Sequence, residues 1–528
     1  MSLARDLRRR SRRLSRSVRR AGRRVERRID QWPRRARRAL RPVRRELRPL
    51  QRDLAALPHR ADVVVRDWFD TATRELRKGD FRTVAVFLLL VSFALLPLQN
   101  VRFTSGVAIA DVVLVVAAIV ALASRHHRPD PLPVPPLLRN GIALMAIGGA
   151  IGLVFADERM VSAKLLVRLL AVVVLAFVAV IRVAPTGRES RRFLIAFVVV
   201  GGVSGALSAL GDLTGAPLLD RSTFGGRAVG LTLTKYPVLD YLRGTTGTSQ
   251  SLAINPNLFG GVSAVGGALA IILLVEATSW RPRVVLAASA AGLSLGVLFS
   301  GSRSSLLALL IGCLPAVWRL VSRGLGRQVL IGAGVIGALV LLSLFSTVRA
   351  PSLDRLLMRP NSADSERTAE STILRYQNAT RGLEERGWSS LATGSGLRDD
   401  TASKLHDGHL ELWVGLGLVG MVGWILVCAG MIESGVRYAG RAGPLTACQV
   451  SLFALGSAFA ANVVVTLFVD TIWNRYIWLL VALTVTLLIR PDGIDEPAHE
   501  APAAAGRAAG RAAAAGDGPT ADPEPALV

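Results

Sequence analysis

Cysteine is scarce in this chain: three residues, Cys313, Cys428 and Cys448, among 528. All three fall inside apolar runs, and none belongs to a Cys-x-x-Cys pair. A disulfide framework and a thiolate zinc site are thereby excluded, and packed thiols are expected. Acidic residues are also short, 38 Asp and Glu against 64 Lys and Arg, a formal charge of +26. No cleavable signal peptide is expected, because the first apolar run begins only near Val84. What fills the chain is hydrophobic side chain, 51% of all residues. High apolar content and high net charge coexist only where the two are segregated along the sequence.

They are segregated. Residues 1–80 hold 27 Lys and Arg against 10 Asp and Glu. Within them Leu3, Leu7, Leu14, Val18, Ala21, Val25, Ile29 and Trp32 recur at intervals of three, four or seven with an eleven-residue period. That period keeps a narrow apolar stripe on one side of a helix while arginine fills the rest. Such a helix suits the headgroups of an anionic leaflet. Pro33, Pro42, Pro49 and Pro58 interrupt the segment, and a second amphipathic stretch runs from Ala61 to Leu76. Arginines in this number could also neutralise nucleic-acid phosphates. The stripe, tethered to a membrane domain, favours lipid, so no nucleic-acid partner is expected.

Beyond residue 80 come apolar runs of bilayer-spanning length: 84–101, 106–123, 137–156, 161–181, 193–214, 258–275, 283–300, 304–319, 328–347, 409–432, 446–468 and 472–489. The expectation is an all-α polytopic membrane protein with about twelve transmembrane helices, the membrane domain occupying 81–490. Arg125 and Arg128, Arg182 with Arg188, Arg191 and Arg192, Arg281 with Arg283, Arg319 with Arg323 and Arg327, and Arg437 with Arg441 all fall on one side. They share it with the N-terminal tail, which makes that side cytoplasmic. An even count returns the C-terminus to the same side. Residues 491–528, rich in Ala, Pro, Gly and Asp, read as a disordered cytoplasmic tail.

The opposite, outer side then displays a loop at about 215–257, the turn Ser300–Arg303, and a long polar loop at 348–408 between spans 9 and 10. Loops that long are uncommon unless functional or disordered. Arg303 sits in the Ser-Gly-Ser-Arg turn, where it could snorkel to headgroups or meet a phosphate. Arg243 opens RGTTGTSQSLAINPNLFGG, whose Gly, Asn and Pro mark an ordered return into the membrane; Arg227 opens a weaker echo, RAVGLTLTKYP. RYQNATRGLEERGW has helical spacing and places Arg375, Asn378 and Gly382 along one face. A Gly-Ser-Gly at 394–396 follows, read as a flexible connection rather than a phosphate nest. His406, Asp407 and His409 then stand at the mouth of an apolar run, where ionisable groups are costly to keep.

The order of these features resembles the bacterial O-antigen ligase and O-antigen polymerase superfamily. An arginine in a Ser-Arg turn between two spans is followed by a long outer loop. That loop runs from an Arg-bearing helix to Gly-x-Gly, then to His at a span start, with Gly417 and Gly420 beyond. The resemblance covers about residues 80–490, with its motifs in 240–260 and 298–424. It implies metal-independent glycan transfer from an undecaprenyl-diphosphate carrier on the outer face of the bacterial cytoplasmic membrane, with no cofactor. Carried over by position, Arg243, Arg303 and Arg375 surround the diphosphate, and His406 lies near the acceptor hydroxyl. The chemistry is apt: guanidinium groups stabilise phosphate oxygens while staying protonated, and a neutral imidazole can take the acceptor proton.

Two positions depart from the pattern. Asp407 stands where Asn is common, and His409 where an aromatic residue is common. Asp407 could orient His406, and His409 could itself be the base, so the proton acceptor is one of two histidines. A metal held by His406, Asp407 and His409 is permitted by spacing alone, but no further His or Cys lies nearby, and no metal is expected. The acceptor, whether glycan, lipid or wall component, is not written in these motifs; polymerase and ligase remain open. The alternative class is a secondary transporter, which would show paired ionisable groups at mid-membrane, interrupted helices and an inverted repeat. Of these signs, Arg168 and Asp111 lie inside spans and could pair with each other, and no repeat is evident.

Overall fold

A computed structural model describes residues 81–98, 109–124, 133–214, 256–300, 302–327, 377, 380, 383–384, 387–397, 408–441, 443–468 and 474–490. The expected N-terminal amphipathic helices, the span at 328–347 and the C-terminal tail lie outside these residues. The chain divides into two units, residues 1–84 with 123–127 and residues 85–122 with 128–528. Apart from a few residues at the ends of α1 and α2, the helices below belong to the second.

In chain order these are α1 (Arg82–Leu95, continued by a 3-10 turn at Leu96–Leu98), α2 (Ile109–Ala123), α3 (Pro136–Val154), α4 (Arg159–Val183), α5 (Gly187–Thr214) and α6 (Pro256–Val275). Then follow α7 (Trp280–Phe299), α8 (Arg303–Ser322), the short α9 (Ser390–Thr393), α10 (Gly408–Val436), α11 (Ala447–Thr466) and α12 (Arg475–Ile489). No strand occurs among the described residues. Eight helices, α3–α8, α10 and α11, are long and apolar enough to cross a membrane; α1 with its 3-10 turn, α2 and α12 are shorter and apolar. Every run expected from hydropathy, other than 328–347, coincides with one of these helices.

The side chains are sorted as in a protein whose solvent is hydrocarbon. Large apolar residues point outward: Met160, Val167, Val154, Ile119 and Leu314 are all exposed. Polar residues point inward, with Ser451, Ser457, Asn462, Thr484 and Arg319 fully buried. A soluble core would show the reverse. The centre is built from α6 and α11, whose apolar spans are 78% and 83% buried, against 28% for α4. Helix α6 packs on α5, α7, α8 and α11, and α10 packs on α3 and α11. Small residues permit the contact between α3 and α10, where a Cβ on Gly148 would fall 2.5 Å from the Gly420 nitrogen. Helices in lipid associate by this close approach, since apolar burial drives them little.

One end of the bundle is tied by charge. Glu276, just beyond α6, accepts from Arg319 Nε at 2.9 Å and from Arg323 Nη2 at 2.7 Å. Arg319 Nη2 also donates to the Gly443 carbonyl at 2.6 Å, joining α8 to the segment before α11. Arg319, expected as a loop charge that orients the chain, is instead fully buried. Removing one partner of such a pair typically costs about 3–5 kcal/mol, because the other charge is left stranded. The proposed pairing of Arg168 with Asp111 is not the arrangement found: Asp111 is ion-paired with Arg475 of α12, and Arg168 is exposed.

Candidate functional site

The other end of the bundle gathers the start of α4, α6, α8, α10 and α12 and the end of α3, α7 and α11. A serine cluster lies there, where α7 passes to α8. Ser300 Oγ donates to the Val297 carbonyl at 2.7 Å and accepts from the Ser302 amide at 3.2 Å. Ser302 Oγ accepts from Ser305 Oγ at 2.9 Å and pairs with Ser304 Oγ at 3.0 Å. Ser300, Ser302 and Ser305 are buried, and Arg303, the first residue of α8, is exposed. The Ser302 hydroxyl is thus turned to its serine neighbours, and no side chain caps α8. An uncapped helix start offers amide donors and a favourable dipole to an anion, and Arg303 adds a full charge at the same place.

The neighbouring helix meets this turn without side chains. A Cβ on Gly260 of α6 would come within 2.4 Å of Ser300 Oγ and 2.6 Å of Ser305 Oγ. Gly261 faces Val465 near the end of α11 in the same way. These glycines close the motif that Arg243 opens, and α6 begins at Pro256 within it, a residue whose fixed φ suits the first helical position.

His409 enters from α10. Its Nδ1 accepts from the Trp424 indole N–H at 2.8 Å, and Nε2 lies 2.9 Å from the Val463 carbonyl. Indole nitrogen only donates and carbonyl oxygen only accepts, so the ring is neutral with its proton on Nε2. Val463 belongs to the last turn of α11, whose carbonyls lack partners within the helix, and His409 supplies one. The imidazole therefore clamps the start of α10 to the end of α11, over an aromatic group of Trp424, Phe459 and Trp478. Held this way, it has no lone pair to offer a substrate proton or a metal.

Eight residues further on, α10 breaks. Gly417 has φ 68° and ψ −173°, a conformation closed to other residues. The carbonyls freed by the break are taken from outside the helix. Ser395 N–H donates to Val414 O at 2.8 Å, and Gly396 N–H to Gly415 O at 3.1 Å. Gly394 and Gly396 adopt positive φ to do this, and Ser162 Oγ of α4 donates to the Leu397 carbonyl at 2.9 Å. The Gly-Ser-Gly, read from sequence as a flexible connection, is a buried, hydrogen-bonded plug against the broken helix. Trp413 Nε1 donates to Leu391 O at 2.8 Å and fixes α9 beside it.

Of the residues singled out by sequence, Arg303 and His409 are described, and both lie at this end of the bundle. They are linked through Ser305, Gly260, Gly261 and the last turn of α11. Arg227, Arg243, Arg375, His406 and Asp407 lie outside the described residues; His406 and Asp407 directly precede Gly408, where α10 begins. The sequence reading passed over Glu411, buried in the first turn of α10, where a helix start favours negative charge. Its signal was an acid two residues after His409 in an apolar run. It passed over Asn462 as well, whose side-chain oxygen accepts from the Tyr476 hydroxyl at 2.8 Å and joins α11 to α12. No protein-family model matches the chain, and no curated protein matches it.

Proposed function

We propose that this protein transfers or polymerises glycan from an undecaprenyl-diphosphate carrier at the bundle end that holds Arg303. The observation that carries the reading is the pairing, at one end, of an uncapped helix start bearing Arg303 with the anchored start of α10 next to His406. In this reading the chain crosses the cytoplasmic membrane twelve times and the Arg303 end faces outward. The end with Arg188, Arg191, Arg192, Arg319, Arg323, Arg437 and Arg441 faces the cytoplasm, as loop arginines do.

The chemistry follows from the charges. The acceptor oxygen attacks the anomeric carbon, and the bond from that carbon to the diphosphate oxygen breaks. Polyprenyl diphosphate departs with the electron pair. Arg303, with Arg243 and Arg375 from the outer loops, and Arg227 beside them, stabilises the negative charge that builds on the leaving oxygens. His406 takes the acceptor proton, oriented by Asp407. His409 serves by position, since both its ring nitrogens are engaged in holding α10 to α11.

A second reading, a secondary transporter, has one observation in its favour: the break in α10 at Gly417. Broken helices in transporters leave carbonyls open to a coupling ion. Here the carbonyls of Val414 and Gly415 are already filled by Ser395 and Gly396, which favours the transferase.

The test uses full-length protein in lipid with an undecaprenyl-diphosphate-linked oligosaccharide, comparing wild type with Arg303→Ala and His406→Ala. A ladder of lengthening lipid-linked glycan, lost in both variants, identifies a polymerase. Release of the carrier only on adding a separate acceptor identifies a ligase. No release with any acceptor, together with donor binding indifferent to both substitutions, ends the transferase reading.

A further inference from the structure

Helix α4 carries two charges on the face it turns away from the bundle. Lys164 and Arg168 are both exposed, and neither makes a hydrogen bond or ion pair among the described residues. They stand one helical turn apart and so share a face. Met160, Val161, Val167 and Val174 lie on it with them, all exposed, Met160 by 72% and Val167 by 64%. The other side of α4 is committed to the bundle. Leu165 and Leu169 are buried, α12 packs along the helix, and Ser162 Oγ donates to the Leu397 carbonyl at 2.9 Å. The two cations therefore look outward, into what the exposed valines mark as hydrocarbon.

Their depth makes this unusual. At about 1.5 Å of rise per residue, Lys164 lies ~7.5 Å and Arg168 ~13.5 Å along α4 from its first residue, Arg159. The 25 residues of the helix exceed a hydrocarbon core of about 30 Å by ~7 Å. With α4 centred in the bilayer, Arg168 falls about 10 Å inside the boundary at the Arg303 end. Charge at that depth is costly, and it marks a function by default. The pair also runs against the arginine-rich loops, which lie at the opposite end.

Helical side chains lean toward the N-terminus of their helix, and α4 begins at the Arg303 end. Both stems therefore carry their charge toward that boundary, and Arg168 reaches up to the level of Lys164. Two cations converge where the phosphates of one leaflet lie, with an apolar helix face below them. An ammonium and a guanidinium together match a phosphate, the latter through two parallel bonds. A second copy of this chain does not fit the face. A two-fold axis along the membrane normal would set Lys164 against Lys164 and Arg168 against Arg168 at equal depth. We propose that Lys164 and Arg168 bind the phosphate of an anionic phospholipid in the leaflet at the Arg303 end, with an acyl chain along Val167 and Val174. The site faces away from the proposed transfer site and does not depend on that reading.

The test is thermal unfolding of delipidated full-length protein in detergent, titrated with phosphatidylglycerol, phosphatidylcholine or inorganic phosphate. Three proteins are compared: wild type, the double variant Lys164→Gln with Arg168→Gln, and Arg159→Gln, which removes an exposed cation of the same helix outside the stripe. The basic N-terminal segment is common to all three, so differences between them report α4. Without lipid they should unfold together, because none of the three side chains has a partner to lose. Phosphatidylglycerol should stabilise wild type and Arg159→Gln alike, and the double variant should need at least about tenfold more of it, the worth of one hydrogen bond to a charged group. Exchanging the charges, Lys164→Arg with Arg168→Lys, should keep most of the response. Equal responses of wild type and the double variant would overturn the proposal, as would an equal loss in Arg159→Gln. Equal effects of phosphatidylglycerol and phosphatidylcholine would overturn it too. So would protection by inorganic phosphate alone, which would leave the apolar part of the stripe idle. A lipid-indifferent stripe whose double variant sheds a co-purifying membrane protein would assign the face to an acidic partner helix instead.

Discussion

The two ends of this helical bundle solve the problem of polar groups at a membrane boundary in opposite ways. At the Glu276 end, charge meets charge: a buried carboxylate ties α6, α8 and the segment before α11 through Arg319 and Arg323. At the Arg303 end the binding is done by neutral groups. Serine hydroxyls bond one another, a neutral His409 caps α11, backbone amides of residues 395 and 396 fill a broken helix, and glycines let backbones touch. The contrast teaches that the first end is built to stay shut. The second keeps an exposed cation, Arg303, at a helix start that no side chain caps, as the proposed site for an anionic substrate requires.

That contrast can be broken by substitution, and the largest expected effect is at the closed end. Arg319→Ala should lower stability by about 3–5 kcal/mol, since Glu276 is left buried with less than its full complement of donors. Thermal unfolding in detergent reads this directly. A marginal change would mean that the charge cluster is not what ties that end. At the open end, Arg303→Ala should leave the unfolding temperature unchanged, because the side chain is exposed, and should reduce the proposed transfer about a hundred- to a thousandfold. A variant that unfolds rather than loses turnover would make Arg303 structural.

Two smaller effects sharpen the picture of the open end. Gly417→Ala must hold a side chain at φ 68° with the Gly394 nitrogen only 2.6 Å from its Cβ. It should cost about 1–3 kcal/mol for backbone strain, and protease cleavage near residues 394–397 should rise as the plug loosens. His409→Phe keeps the ring but loses two hydrogen bonds, each worth about 0.5–1.5 kcal/mol. If the protein is the proposed transferase, turnover should fall only a few-fold, because both ring nitrogens are engaged in holding α10 to α11. Complete loss of turnover in a folded His409→Phe protein would instead make His409 the base.

Much of the fold was legible in the sequence. Hydropathy located the helices, because a bilayer demands uninterrupted apolar runs whose length is set by its thickness. It did not reveal that α10, expected as one span at 409–432, is broken at Gly417, since hydropathy averages over a window and does not register a single φ. Gly-Ser-Gly looked like a flexible connection because glycine permits mobility and unusual fixed geometry equally. Of the candidate site, Arg303 and His409 were found from their polarity at a span boundary. Their differing circumstances, one exposed and the other clamped between Trp424 and Val463, were not.

Sequence alone, through composition, determined that this chain is a set of apolar helices with arginine concentrated in particular connections. Those are properties of each segment taken singly, fixed by transfer free energy and charge. Only the tertiary structure decided which arginine is a buried strut and which an exposed cation. It also decided that Glu276 and Arg319, 43 residues apart, share a bond. Partnership across the bundle depends on which helix faces pack together, and that choice is collective, made by small residues and hydrogen bonds that no single segment carries.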